Sequence, residues 1–209
     1  MISINRFENL EFTSNTYLIK HKFYNNDVFL IDIGNPKKVL DFLLPNQKVK
    51  AIFLTHAHYD HIYGINKIID QFPKCIVHCS EYAYKALLSE KLNLSFYRLE
   101  PIVFKGGNIN LLYEDLSIKL FANYFLKVLR TEGHTKGSLS FVVNEGVFTG
   151  DALIPGVPVV TKLKSGNKNE AKKSIKKIHK QLELEPEKNI YPGHGPIFKK
   201  SEVNWSLYN

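Results

Sequence analysis

The stretch Thr55-His56-Ala57-His58-Tyr59-Asp60-His61 sets three imidazoles and one carboxylate within six consecutive positions. It closes Val49–Thr55, an apolar run that reads as a buried strand. A turn at the end of such a strand brings all four groups to one point on a rigid support. Neutral imidazole and carboxylate are the usual nitrogen and oxygen donors for zinc and neighbouring first-row metals. A lone histidine reads as a surface or core residue, but four donors in one turn read as a metal site.

Three further segments repeat the form of a strand followed by a glycine-flanked turn: Gly133-His134-Thr135, Gly150-Asp151-Ala152 and Gly193-His194-Gly195. Glycine lets the backbone approach closely or take a positive φ. Each is an ordinary turn by itself. With the first cluster they bring the donor set to seven, which suits two metals about 3.5–4 Å apart better than one.

Around these segments, Thr16–Lys20 and Val28–Ile33 read as strands paired through Asn25-Asn26-Asp27. Gly34-Asn35-Pro36 opens a helix to about Leu43. Gly64–Phe72 carries Ile65, Ile68, Ile69 and Phe72 at helical spacing, Cys75–His78 is a short strand and Glu81–Leu88 a helix. From Asn93 to Tyr113 the chain reads as irregular. Strands return at Ser117–Ala122, Leu126–Arg130, Ser138–Val143 and Gly146–Phe148. A loop from Ala152 to Asn169 is long enough to be functional, and Asn169 is placed as the cap of a helix to about Leu182 with Ile175, Ile178 and Leu182 as its apolar stripe. Ile190–Tyr191 is a last strand. No repeat, linker or composition break divides the chain, so 1–209 reads as a single domain.

A hydrophobic content of 44% with 23% charged residues excludes disorder and fibrous repeats. The apolar runs fall well short of the roughly 18 residues a membrane-spanning helix needs, and Met1–Phe12 has no apolar signal core, so a cytoplasmic protein without a membrane partner is expected. Cys75 and Cys79 are too few for a disulfide scaffold and read as core thiols. His21 and His179 read as surface positions and His78 as structural. The net charge is +8, and all but Arg6, Arg98 and Arg130 of the 28 basic residues are lysine. The lysines of segment 162–180 read as a solvated face, with a phosphate-binding wall as the alternative.

His56-x-His58-x-Asp60-His61, followed in order by His134, Asp151 and His194, resembles the metallo-β-lactamase superfamily of hydrolases over nearly the whole chain. Ser14-Asn15-Thr16-Tyr17-Leu18 looks like the family's first strand, and Leu30-Ile31-Asp32-Ile33-Gly34 like the strand whose aspartate sits below the metal loop. The resemblance implies an α+β fold, a four-layer αββα sandwich of the metallo-β-lactamase type. It further implies that His56, His58 and His134 bind one metal and Asp60, His61 and His194 a second, with Asp151 bridging. The implied cofactors are two divalent ions, zinc first, with iron or manganese compatible with the same donors. Between them they would hold a hydroxide as nucleophile, and Asp60 would orient it or shuttle the proton given up by its parent water.

Asp151 and the segments Gly133–Ser138, Thr149–Asp151 and Pro192–Gly195 look like the glyoxalase II-like branch, implying a small or medium thioester or ester as substrate. The sequence stops at Asn209, short of the C-terminal helical segment that helps glyoxalase II bind glutathione, which leaves glutathione recognition open. Phosphodiester hydrolysis, with nucleic acid as partner, is the competing reading, and lactone hydrolysis is a third. A metal-binding or redox protein without hydrolysis is the non-enzymatic alternative.

Overall fold

The structure, a computed structural model, describes every residue except Glu11, Asn25, Glu145, Leu184, Glu185, Pro186, Glu187 and Asn209. The chain forms two compact units, Met1–Leu111 and Leu112–Asn209. Among the described residues each unit is built on a six-stranded mixed sheet.

In the first unit the sheet order follows the chain: β1 (Ile2–Glu8), β2 (Asn15–His21), β3 (Asp27–Ile31), β4 (Lys48–Phe53), β5 (Ile76–Cys79) and β6 (Asn108–Leu111). The first three strands are antiparallel, and β3 to β6 are parallel. Parallel neighbours need crossover connections. Helices supply them: α1 (Pro36–Phe42) between β3 and β4, α2 (Tyr59–Ile62) and α3 (Ile65–Gln71) between β4 and β5, and α4 (Glu81–Leu87) before β6. Asn35 caps α1, its Oδ1 accepting from Lys37 N at 3.0 Å, with Pro36 in the first turn. Val39, Ile65, Ile68, Ala83 and Leu87 of the helices bury against Leu30, Ile52 and Val77 of the strands. Parallel order carries the ends of β3 and β4 to the same edge, and there Asp32 and the turn 55–61 emerge.

The second unit orders its strands as β12-β11-β10-β9-β8-β7: β7 (Ser117–Phe121), β8 (Tyr124–Arg130), β9 (Leu139–Val143), β10 (Gly146–Gly150), β11 (Asn189–Pro192) and β12 (Phe198–Lys199). Its helix α5 (Lys168–Leu182) lays Ile175, Ile178 and Leu182 against Val147 and Ile190. Lys172, Lys173, Lys176 and Lys180 face solvent, while Lys177 binds Glu114 at 2.9 Å. Because β9 is antiparallel to both β8 and β10, and β11 is parallel to β10, the strands β8, β10 and β11 run the same way. Their ends lead to His134, Asp151 and His194.

Several expectations need correction. Asn15–Leu18 falls in the second strand of its sheet, with Ser14 just before it, because Ile2–Glu8 pairs along its whole length with β2. Val28–Ile33 ends as a strand at Ile31, since Asp32 adopts φ 55. The cap of α5 is Asn167, whose side chain accepts from Asn169 N and Glu170 N, so Asn169 lies inside the helix. His21 is buried: its Nδ1 accepts from Phe23 N and Tyr24 N at 3.1 and 3.3 Å. Of the turn Asn25-Asn26-Asp27, Asn25 lies outside the described residues. Cys75 and Cys79 are buried thiols, and burial pushes both up to about 12. His78 stacks on Phe53 at 4.5 Å, and burial lowers it to about 4, in keeping with a structural role. Among the described residues no helix is long and apolar enough to cross a membrane.

Candidate metal centre

The first unit places His56, His58, Asp60 and His61 together. The ring centroid of His56 lies 4.7 Å from that of His58 and 4.3 Å from that of His61, and Asp60 Oδ2 lies 3.5 Å from His61 Nε2. Bringing imidazoles so close needs anchors beneath them, and Asp32 is the principal one. Its Oδ1 accepts from Thr55 N at 2.7 Å, and its Oδ2 accepts from Thr55 Oγ1 at 2.7 Å and His61 Nδ1 at 2.8 Å. Burial pushes the Asp32 carboxyl above its ordinary range, while the hydrogen bonds from His61 and Thr55 pull it down.

This network sets tautomers. Since the Thr55 hydroxyl donates to Asp32, its oxygen accepts from His56 Nδ1 at 3.1 Å. Both His56 and His61 thus donate from Nδ1, which leaves Nε2 as the nitrogen that could ligate a metal, the arrangement a carboxylate beneath a metal ligand enforces. Ligand atoms of Asp32, His56 and His61 lie within 4.8 Å of one another. Asp32, already accepting three hydrogen bonds, is better read as the support of the two rings. The turn is fastened from two other sides: Ser14 Oγ donates to Asp60 O at 2.7 Å, and Tyr59 N donates to Asn93 O at 2.8 Å.

In the second unit, Asp151 Oδ2 stands 3.5 Å from His134 Nε2 and 3.5 Å from His194 Nε2. His134 Nδ1 donates to Val160 O at 2.8 Å, which leaves Nε2 as the ring nitrogen facing the carboxylate. The loop 152–169 therefore supplies the group that orients His134. Gly193 N donates to Gly150 O at 2.9 Å, coupling the turns that carry His194 and Asp151. Gly133 has φ 133, and a Cβ there would stand 2.3 Å from the Ala171 backbone. We expect Gly133→Ala to cost about 3 kcal/mol, combining a forbidden φ with a clash against α5. Chemical denaturation measures that loss, and a cost under about 0.5 kcal/mol would contradict the packing described.

All seven candidate donors thus lie at strand ends, four in one unit and three in the other. Sequence reasoning passed over Thr55 as a hydrogen-bond relay, and also Ser14 and Asn93. Thr55 offers a signal in hindsight, a hydroxyl at the junction of a buried strand and a donor-rich turn. Asn93 offers none beyond being an asparagine in an apolar neighbourhood.

The sequence profile of the metallo-beta-lactamase superfamily matches residues 10–194. A probable metallo-hydrolase of Streptococcus pyogenes serotype M6 is 34% identical over 193 residues, covering 87% of this chain and 79% of that protein. A hydroxyacylglutathione hydrolase of Blochmanniella pennsylvanica is 34% identical over 131 residues, 62% of this chain and 44% of that one. The chain thus spans less than half the length of that relative. Among solved structures, the B3 metallo-beta-lactamase BLEG-1 superposes with a TM-score of 0.85 at 24% identity, covering 96% of this chain and 95% of that one. The chain belongs to the metallo-beta-lactamase superfamily, and its α+β architecture of two mixed sheets with helices is the fold of that superfamily. Membership of that superfamily and the metallo-hydrolase relative support a metal-dependent hydrolase.

Proposed function

We propose that the chain, read as one domain over 1–209, is a dinuclear zinc hydrolase of small or medium thioesters or esters. His56, His58 and His134 would hold one ion and Asp60, His61 and His194 the other, with Asp151 as a donor to both. The observation that carries this reading is the single Asp151 oxygen 3.5 Å from two imidazole nitrogens, with His134 already fixed in the ligating tautomer. Zinc, which these nitrogen and oxygen donors suit, supplies a water acidified towards neutral pH and polarises the scissile group. The protein's share is positional. Asp32 and Thr55 hold His56 and His61 by Nδ1, Val160 O holds His134, and Asp60, its backbone fixed by Ser14, orients the attacking water.

The thioester class is supported by the likeness to hydroxyacylglutathione hydrolases and by the solvated character of the α5 lysines. Lys173 and Lys177 already pair with Glu170 and Glu114. One observation favours phosphodiesters instead: a cavity of about 390 Å³ in the second unit is lined by Lys162, Lys168 and Lys172. Steady-state hydrolysis by zinc-reconstituted protein of an acyl thioester beside an activated phosphodiester, at one salt concentration, separates the two, because salt shifts phosphate binding by itself. We expect kcat/KM to favour the thioester by about 10²-fold or more, equivalent to roughly 3 kcal/mol in the transition state. A preference for the phosphodiester would overturn the thioester assignment.

A further inference from the structure

Two loops of the first unit are fastened to the donor turn and meet beyond it. The loop between β1 and β2 is tied by Ser14, whose hydroxyl donates to Asp60 O at 2.7 Å. The fully buried Asn9 bridges its base, donating from Nδ2 to Ser14 Oγ at 3.0 Å and accepting at Oδ1 from Asn35 N at 2.7 Å. The second loop, residues 95–102, has a closed neck. Ser95 Oγ donates to Ile102 O at 3.2 Å and accepts from Ile102 N at 2.8 Å, and Asn93 bonds both Ile102 O and Ser95 N. The carbonyl of Asn93 in turn accepts from Tyr59 N, between the donors His58 and Asp60. Phe12, Thr13 and Leu94 all have positive φ, at 57, 55 and 66. Left-handed backbone is costly for such residues and persists only where the surroundings over-determine it.

The tips of these braced loops are joined by Arg98. Its Cζ lies 3.8 Å from the centroid of the Phe12 ring and 5.6 Å from that of Tyr59. Among the described residues no carboxylate lies within ion-pair distance of it. Arg98 is exposed, as are the flanking Phe96, Tyr97 and Leu99. A guanidinium lying on an aromatic face keeps its N–H edge available and loses little further entropy on binding. Such an edge matches a carboxylate or phosphate in bidentate fashion.

Resting on the thioester reading above, we infer that Arg98 is a specificity-determining residue that binds an anionic group, carboxylate or phosphate, on the thiol portion of the substrate. Phe12 and Tyr59 hold its plane, and the two loop necks fix that plane relative to the donor turn. An ordinary exposed arginine would lack both the ring beneath it and the tether to the turn.

The test uses three thioesters of one acyl group: on glutathione, which offers carboxylates, on coenzyme A, which offers phosphates, and on neutral N-acetylcysteamine. We expect the wild-type protein to prefer one anionic thioester, which identifies the anion. Arg98→Gln should lower the ratio of its kcat/KM to that of the neutral thioester about tenfold, through KM, with Arg98→Lys recovering part. A ratio unchanged in Arg98→Gln would overturn the inference. Calorimetric binding of S-hexylglutathione and of coenzyme A reads the same contact without turnover. About tenfold weaker binding of one of them to Arg98→Gln supports the inference even if no thioester is hydrolysed, an outcome that would refute only the thioester reading. Equal binding to both proteins, or no binding to the wild type, overturns it.

Discussion

His56→Ala is expected to lower metal content and catalytic activity together, with kcat/KM falling by about 10³-fold. His56 is almost wholly buried, and its Nδ1 proton is engaged by Thr55, so its one ligating atom is Nε2. Alanine removes that atom without touching the Asp32–Thr55 bonds below it. The metal-free fold should therefore persist, while the thermal stabilisation that added zinc confers is lost, because ligand binding to the native state is what raises Tm. Asp151→Ala should behave alike from the second unit. Elemental analysis, a thermal melt with and without zinc, and turnover on one preparation check the prediction. Full activity in His56→Ala would sink the donor assignment.

Asp32→Ala should act on stability first. The carboxylate accepts from Thr55 N, Thr55 Oγ1 and His61 Nδ1 in a fully enclosed position. Its loss strands buried donors, each worth about 1–3 kcal/mol. Alanine also keeps the unfavourable φ of 55 at this position. We expect a total cost of about 4 kcal/mol and zinc affinity weakened about 10–100-fold, as for other groups that orient a metal ligand from behind. Asp32→Gly separates the contributions, since it relieves the backbone by about 1 kcal/mol and still removes the carboxylate. Denaturant unfolding of the two variants reads the difference. Near-native stability and zinc affinity in Asp32→Ala would show that the rings are held by something else.

What could be read from the sequence was what is local. His56, His58, Asp60 and His61 sit in one turn, so their convergence needs only a strand before them. His134, Asp151 and His194 were visible as glycine-flanked turns, and only the order of the motifs joined them to the first cluster. The supports beneath were hidden because they are long-range: Thr55 meets Asp32 across neighbouring strands, and Asn93 meets Tyr59 from a segment without apolar periodicity. The same reason explains the missed strands. In Ile2–Glu8 only Ile2 is buried, so an edge strand shows no alternation strong enough to read, and Asn108–Leu111 is half-exposed within a stretch read as irregular. Asn167 and Asn169 are equally good caps by residue type. The packing of Gly133 against α5, with Asn167 N donating to Gly133 O at 2.8 Å, selects the first. His21 does not read as buried because one of its partners is distant in sequence: the Met1 amino group lies 2.9 Å from its Nε2.

The most direct measurement is a zinc titration of the metal-free protein, followed by calorimetry and by thioester hydrolysis on the same samples. Two zinc ions are expected to bind per chain, with hydrolysis that rises with occupancy and disappears on chelation. Thioester hydrolysis by the metal-free protein, or failure to bind zinc at all, would contradict the assignment of a zinc hydrolase.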